Sequence, residues 1–67
     1  MDTIKRVQDL MQERDMNLCV LAKKCGISYS TIQTTARRGG QLSVETIERI
    51  CLGLGITLED FFDSSYL

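Results

Sequence analysis

The stretch KKCGISYSTIQ, residues 23–33, ends one predicted helix and begins another within three residues. Gly26 can adopt the left-handed conformation that closes a helix. Ser28 is a typical N-cap residue, since its side-chain oxygen can accept a hydrogen bond from the first turn of the next helix. Ile27, between them, is expected to be buried between the two helices. So short a joint predicts a large angle between the helices, near the roughly 90–120° of a helix-turn-helix.

The same start signal occurs at three other places in the chain. Each consists of a cap residue with an apolar residue just before it and another four residues after it, which together form a hydrophobic staple. The four sets are Met16-Asn17-Leu21, Ile27-Ser28-Ile32, Leu42-Ser43-Ile47 and Ile56-Thr57-Phe61. A fifth segment, residues 3–14, has apolar residues at helical spacing. The sequence therefore predicts helices over residues 3–14, 18–25, 29–37, 44–53 and 58–63, and no convincing strand.

Length and composition favour one small all-α domain. Hydrophobic residues make up 43% of the 67 residues and charged residues 25%, as in ordinary soluble domains. We expect a single domain over residues 1–67, with the helix-turn-helix at about 17–38. The predicted inward faces are Ile4, Val7, Leu10 and Met11; Leu18, Leu21, Ala22 and Cys25; Ile32 and Ala36; Ile47, Ile50, Cys51 and Leu54; and Leu58 and Phe61.

Several protein classes are disfavoured by the composition. No apolar run approaches the roughly 20 residues of a membrane span, and the polar N-terminus does not resemble a signal peptide, so a cytoplasmic protein is expected. Cys19, Cys25 and Cys51 lack paired spacing, and there is no His. This predicts no metal site and no cofactor, with the three reduced cysteines packed as small core residues.

Charge is distributed unevenly along the chain. The net charge is −1, yet no acid lies between Met16 and Val44, where the charged residues are Lys23, Lys24, Arg37 and Arg38. The middle of the chain is thus a +4 segment that can form a basic face on an acidic protein. The alternative is an ordinary solvated charged surface.

The predicted helix over residues 29–37 has an unusual outer face. Five polar residues, which recur at the spacing of a single stripe, are Tyr29, Ser30, Gln33, Thr34 and Arg37. Solvated helix faces usually favour Glu, Lys and Ala, which form helices well. Hydroxyl and amide groups instead suit hydrogen bonding with base edges, and the absence of acids suits an approach to phosphates. The alternative is a polar surface helix of unusual composition.

Two stretches carry a family resemblance. NLCVLAKKCGISYSTIQ and SVETIERICLGLGITLEDFF resemble the lambda-repressor-like domains of the Cro and Xre type, and the similarity extends from Ile4 to Phe62. The resemblance implies a compact five-helix bundle with the helix-turn-helix at helices 2 and 3. It also implies a sequence-specific DNA-binding transcriptional regulator, which we expect to be a repressor.

The resemblance also implies roles for individual residues. It implies major-groove base contacts from Tyr29, Ser30, Gln33 and Thr34. It implies phosphate contacts from Asn17, Ser28, Arg37, Arg38 and Gln41. These roles agree with a recognition helix that enters the groove by its start while caps and loops hold the backbone.

The chain departs from the family pattern in three ways. Leu18 replaces a Gln that often contacts the DNA backbone, so Leu18 packs inward or the contact is lost. Met11 and Ala36 stand where the family often has an Arg–Glu pair, and an apolar contact is expected in its place. Thr35 replaces a larger aliphatic residue, which is expected to thin the core beside the helix.

The expected partners are double-stranded DNA and a second copy of the chain. In a homodimer, two recognition helices would read half-sites about 34 Å apart, one turn of DNA. The predicted dimer surface is Leu58, Phe62, Tyr66 and Leu67. For Phe62 the alternative is that it covers the open end of the core.

A second function class is compatible with the same fold. A protein-interaction module, such as an antitoxin or adaptor, could keep the fold with little or no DNA affinity. The net acidity and Leu18 favour that alternative. An enzyme is not expected, because the sequence has no His, no phosphate-binding glycine loop and no plausible nucleophile–base pair.

Overall fold

The computed structural model describes residues 1–63 as five α-helices. They are α1 (Thr3–Glu13), α2 (Leu18–Cys25), α3 (Tyr29–Arg37), α4 (Val44–Leu54) and α5 (Leu58–Phe62). The all-α fold class is confirmed, and residues 1–63 contain no strand. All five predicted helices are present, and the ends of α1, α4 and α5 differ from the prediction by one residue. None of these helices is long and apolar enough to span a membrane.

Side-chain oxygens cap three of the predicted helix starts. Asn17 accepts a hydrogen bond from the Val20 amide at 2.9 Å. Ser43 accepts from the Thr46 amide at 3.2 Å. Thr57 accepts from the Asp60 amide at 3.0 Å, and the Asp60 side chain accepts in return from the Thr57 amide. These bonds satisfy donors that a helix start otherwise leaves to solvent.

Ser28 does not cap α3, so that prediction was wrong. Its backbone is extended, as at an N-cap, but its side chain makes no hydrogen bond to the first-turn amides. The Ser28 hydroxyl instead pairs with the Ser30 hydroxyl at 2.9 Å. A nearby hydroxyl competes with the backbone for the same oxygen.

The joint between α2 and α3 contains the predicted left-handed glycine. Gly26 is left-handed, with φ of 65°, and the Ile27 amide donates to the Ala22 carbonyl at 3.0 Å. Ile27 is half-buried against the core. Arg49, on α4, donates to the Gly26 carbonyl at 3.3 Å and to Glu45 at 3.0 Å. The helix-turn-helix is thus held from the side by a residue that sequence reasoning did not single out.

Replacing Gly26 with valine should lower the free energy of unfolding by about 2 kcal/mol, because a β-branched residue is strained at positive φ. The matched variant Gly26→Asn should cost much less, since asparagine tolerates the left-handed conformation. A Cβ added at this position would have no neighbouring atom within 4 Å, so backbone strain alone separates the two variants. Urea denaturation followed by circular dichroism measures both. Equal midpoints would contradict the assigned turn.

A single apolar core joins the helices. Phe61, Leu21 and Ile50 are its largest fully buried members. Burial raises the pKa of the Cys25 and Cys51 thiols, which keeps both protonated near neutral pH. Both are buried and free, as predicted.

Three residues predicted to face inward are exposed instead. Cys19 lies off the face of α2 that carries its buried residues, which are Leu21, Ala22 and Cys25. Ala36 is exposed beside a cleft that its short side chain does not fill. Leu58 begins the short helix α5, in which only Phe61 is buried, and is 41% exposed.

Two buried polar residues on α1 connect distant parts of the fold. Arg6 donates to the Phe61 carbonyl at 2.6 Å and to the Asp60 carbonyl at 2.7 Å, and it pairs with Asp9 at 2.9 Å. Thr3 is fully buried at the start of the same helix. It bonds to Gln41 through its amide and its hydroxyl, both at 2.8 Å. Through these contacts α1 holds both α5 and the loop between α3 and α4.

Candidate nucleic-acid interface

The outer face of α3 consists of two parallel rows of side chains. Residues four apart on a helix lie nearly above one another, about 6 Å apart along the axis. One row is Tyr29, Gln33 and Arg37, and the other is Ser30, Thr34 and Arg38. All six side chains are exposed. The predicted base-contacting residues therefore share one accessible surface, here called the α3 face.

Positive charge on the α3 face is not neutralised from within the described chain. The ion pairs there join Arg6 with Asp9, Arg14 with Glu13 and Arg49 with Glu45. Neither Arg37 nor Arg38 pairs with a carboxylate of residues 1–63. Each row thus ends in an exposed guanidinium that can meet a phosphate.

The two rows differ in their internal hydrogen bonds. In the first, the Gln33 amide nitrogen donates to the Tyr29 hydroxyl at 2.8 Å. In the second, Ser30 pairs with Ser28, and Thr34 and Arg38 line a shallow depression of about 290 Å³ beside Ser30. The first row therefore presents an amide paired with a phenol hydroxyl, and the second presents small hydroxyls beside a cation.

Asn17, at the start of α2, and Gln41, in the loop after α3, use their side chains in the same way. The Asn17 oxygen caps α2, and the Gln41 oxygen accepts both bonds from Thr3. The Thr3 hydroxyl in turn accepts from the Leu42 amide at 2.9 Å. Each amide oxygen is thus engaged inside the protein, while the described residues accept no hydrogen bond from either NH₂ group. An NH₂ donor has the right polarity for a phosphate oxygen.

Two of the three departures from the family pattern lie at one cleft between α1 and α3. Met11, Leu18 and Ala36 line this cleft, which has a volume of about 280 Å³. Leu18 is half-buried and packs against the core, as does Met11. Leu18 therefore packs inward, one of the two expected outcomes. Thr35 is half-buried, and its hydroxyl donates to the Thr31 carbonyl at 2.9 Å.

The family comparison agrees with this geometry. Residues 6–64 match the family model of the Cro/C1-type HTH DNA-binding domain, where HTH denotes helix-turn-helix. The chain belongs to this family. The Cro/C1-type domain is a DNA-binding regulatory module, so DNA is the partner that the match supports. No significant match was found among curated proteins or solved structures.

The predicted dimer surface of this Cro/C1-type domain is partly described. Leu58 and Phe62 are each 41% exposed, and the Phe62 ring meets the edge of Phe61 with centroids 5.2 Å apart. Tyr66 and Leu67 lie outside the described residues. Leu52, which sequence reasoning did not single out, is 83% exposed and lines a shallow depression with Leu58.

Sequence reasoning also missed how the Cro/C1-type site is held together. The four-residue spacing of Tyr29 and Gln33 could have predicted their contact. Neither the bond from Arg49 to the Gly26 carbonyl nor the attachment of Gln41 to Thr3 has a local signal, because each joins residues more than 20 positions apart.

Proposed function

We propose that this Cro/C1-type domain is a sequence-specific transcriptional regulator that places α3 in the major groove of double-stranded DNA. The observation that carries the proposal is the exposed, acid-free α3 face, because a surface that enters a groove must avoid carboxylates and offer short donors and acceptors. The proposed base contacts are Tyr29, Ser30, Gln33 and Thr34. Bound at a promoter, the domain would act as a repressor by covering the site.

The proposed phosphate contacts come from three parts of the chain. Arg37 and Arg38 supply charge where α3 ends, and the NH₂ groups of Asn17 and Gln41 supply neutral donors from the start of α2 and from the loop after α3. Ser28 stands where α3 begins. Because its side chain does not cap the helix, the first-turn amides are left without that partner and can donate to a phosphate.

We further propose that the domain binds as a homodimer through the apolar surface of α5. Leu58 and Phe62 support this because both are exposed on one five-residue helix, and Leu52 extends the surface onto α4. Grouped exposed apolar residues mark interaction sites more often than scattered ones do. Two copies related by a dyad would read half-sites about 34 Å apart.

One binding experiment tests the DNA proposal against the interaction-module alternative. The full chain is incubated with a random duplex pool, the retained duplexes are sequenced, and the best is titrated across a salt series. A regulator should enrich a motif with dyad symmetry, and log affinity should fall with log salt by about 0.9 per neutralised phosphate. If no duplex is retained even at low salt, the chain is an interaction module and the proposal is wrong.

Two alanine variants should separate base contacts from phosphate contacts. Thr34→Ala should relax preference at one position at a cost of about 1 kcal/mol, whereas Arg38→Ala should weaken binding to every sequence and reduce the salt slope by about 1. Selection with each variant and salt titration on the wild-type site give both quantities. If both variants lost affinity with unchanged preference, the assigned roles would be wrong.

A further inference from the structure

We propose that the cleft between α1 and α3 binds a small aliphatic carboxylic acid, and that a bound acid weakens DNA binding. The volume of the cleft, about 280 Å³, is close to the lower end of the roughly 300–1,000 Å³ that is typical of ligand pockets. It therefore suits a ligand with a single short alkyl chain better than one of nucleotide size. The site itself depends on the cleft alone, whereas its effect on DNA rests on the proposed function.

The interior of the cleft is apolar. Val7 and Ile32 are buried members of the core and lie at its bottom. Its sides are formed by Ile4, Met11, Leu18 and Ala36. Because the side chain of Ala36 is a single methyl group, α3 leaves this apolar surface open to solvent. An alkyl chain in the cleft would remove its own apolar surface and that of the sides from water, which is favourable.

The charged residue that lines the cleft is a cation. Arg37 is exposed, and the ion pairs within residues 1–63 do not include it. Gln8 and Gln33 supply neutral amides, and no acidic side chain of residues 1–63 lines the cleft. A guanidinium can hold a carboxylate through two parallel N–H donors. An alkyl chain that ends in a carboxylate thus matches both the apolar interior and the cation.

A second apolar depression, beside α5, has the opposite charge at its edge. It is lined by Cys51, Leu52, Ile56 and Leu58 together with Glu48. The Glu48 carboxylate would repel a bound acid, because like charges in contact are unfavourable. An uncharged alkyl compound could enter either place, whereas a carboxylic acid is expected at the cleft between α1 and α3.

A ligand in the cleft would compete with DNA for Arg37. The guanidinium proposed to contact a phosphate would be paired with the ligand carboxylate instead, and a negative charge would stand beside Gln33 on the α3 face. Saturating ligand should therefore raise the Kd for DNA by about 5-fold or more. Because such coupling is reciprocal, bound DNA should weaken ligand binding by the same factor.

The test titrates the full chain, labelled with ¹⁵N, with octanoate below the concentration at which it forms micelles. The amide signals that shift should belong to residues around Met11, Leu18 and Ala36 and not to those around Leu52. Hexanoate, with two methylenes fewer, should bind about 15-fold more weakly, at about 4-fold per buried methylene. Octanol, which lacks the charge, should bind the cleft about 2- to 10-fold more weakly than octanoate.

Three variants place the ligand within the cleft. Ala36→Leu fills the cleft without changing either row of the α3 face, so it should abolish octanoate binding while the melting temperature does not fall. Arg37→Gln should lower the affinity for octanoate to that for octanol and leave octanol binding unchanged. The matched control is Leu52→Ala at the depression beside α5, and it should keep the wild-type affinity for octanoate.

The effect on DNA is measured by fluorescence anisotropy on the selected duplex, with and without octanoate. The Kd for DNA should rise in the wild type and stay constant in Ala36→Leu. Octanoate binding that survives Ala36→Leu, is lost in Leu52→Ala or is unaffected by Arg37→Gln would overturn the proposed site. Octanoate that fills the cleft without raising the Kd would overturn the effect on DNA. If no duplex is retained, the proposed function fails, whereas the titration still decides whether the cleft binds the acid.

Discussion

Replacing Arg6 with alanine should lower the free energy of unfolding by about 3 kcal/mol, because charged hydrogen bonds contribute about 1.5–3 kcal/mol each and do not add fully. Arg6 donates to the carbonyls of Asp60 and Phe61, which lie in the last turn of α5. The variant leaves both carbonyls without this partner beside the core. Since a domain of this length has a total stability of about 3–10 kcal/mol, the variant should lose at least about a third of it. Urea denaturation followed by circular dichroism measures the change.

Two further variants test whether the loss of stability comes from the guanidinium of Arg6. Arg6→Lys keeps the charge but offers a single ammonium in place of the planar fork, so an intermediate loss is expected. Arg14→Ala removes a surface ion pair with Glu13 at 3.3 Å and should cost less than about 1 kcal/mol. If Arg14→Ala and Arg6→Ala were equally destabilising, the bonds from Arg6 to α5 would not be the cause.

Local signals explain why the helices could be predicted from the sequence. A cap, a staple and a left-handed glycine each involve residues within a few positions of one another. Asn17, Ser43, Thr57 and Gly26 behave as such signals predict. Ser28 is the exception, because the Ser30 hydroxyl offers its oxygen another local partner.

Long-range polar contacts could not be predicted in the same way. Helical spacing places Arg6 among the polar residues of α1, yet it is 8% exposed. Its burial depends on carbonyls that lie 54 and 55 residues further along the chain. No pattern in the sequence near Arg6 indicates these contacts. Thr3 and Gln41 are connected over 38 residues in the same way.

For the candidate interface, composition predicted the exposed face but not the hydrogen bonds between its side chains. The absence of acids and the spacing of polar residues were enough to predict the α3 face. The bond between Tyr29 and Gln33 was not predicted. The base and phosphate roles of the individual residues stay predictions until binding is measured.

Replacing Gly53 with alanine should destabilise the domain, although helix propensity alone predicts the opposite. Gly53 lies inside α4, where alanine would be favoured by about 1 kcal/mol. A Cβ there would come within 2.9 Å of the Cys25 Cα and 3.1 Å of its Cβ, and would meet its Sγ closer still. Because a backbone atom of α2 is among these contacts, rotation of a side chain cannot relieve them. We expect a net loss of about 3 kcal/mol, at the upper end for overpacking of a core.

Gly40→Ala is the matched control, since a Cβ at Gly40 would meet only Thr35 atoms at 3.7 Å, an ordinary contact. It should change the free energy of unfolding by less than about 0.5 kcal/mol. Adding Cys25→Ala to Gly53→Ala removes the sulfur but leaves the Cα, so stability should recover only in part. Full recovery of stability would show that the Cys25 thiol alone sets the distance between α2 and α4. If Gly53→Ala left the free energy of unfolding unchanged, α2 could move away from α4 freely. In that case α2 would not hold the α3 face in a fixed position.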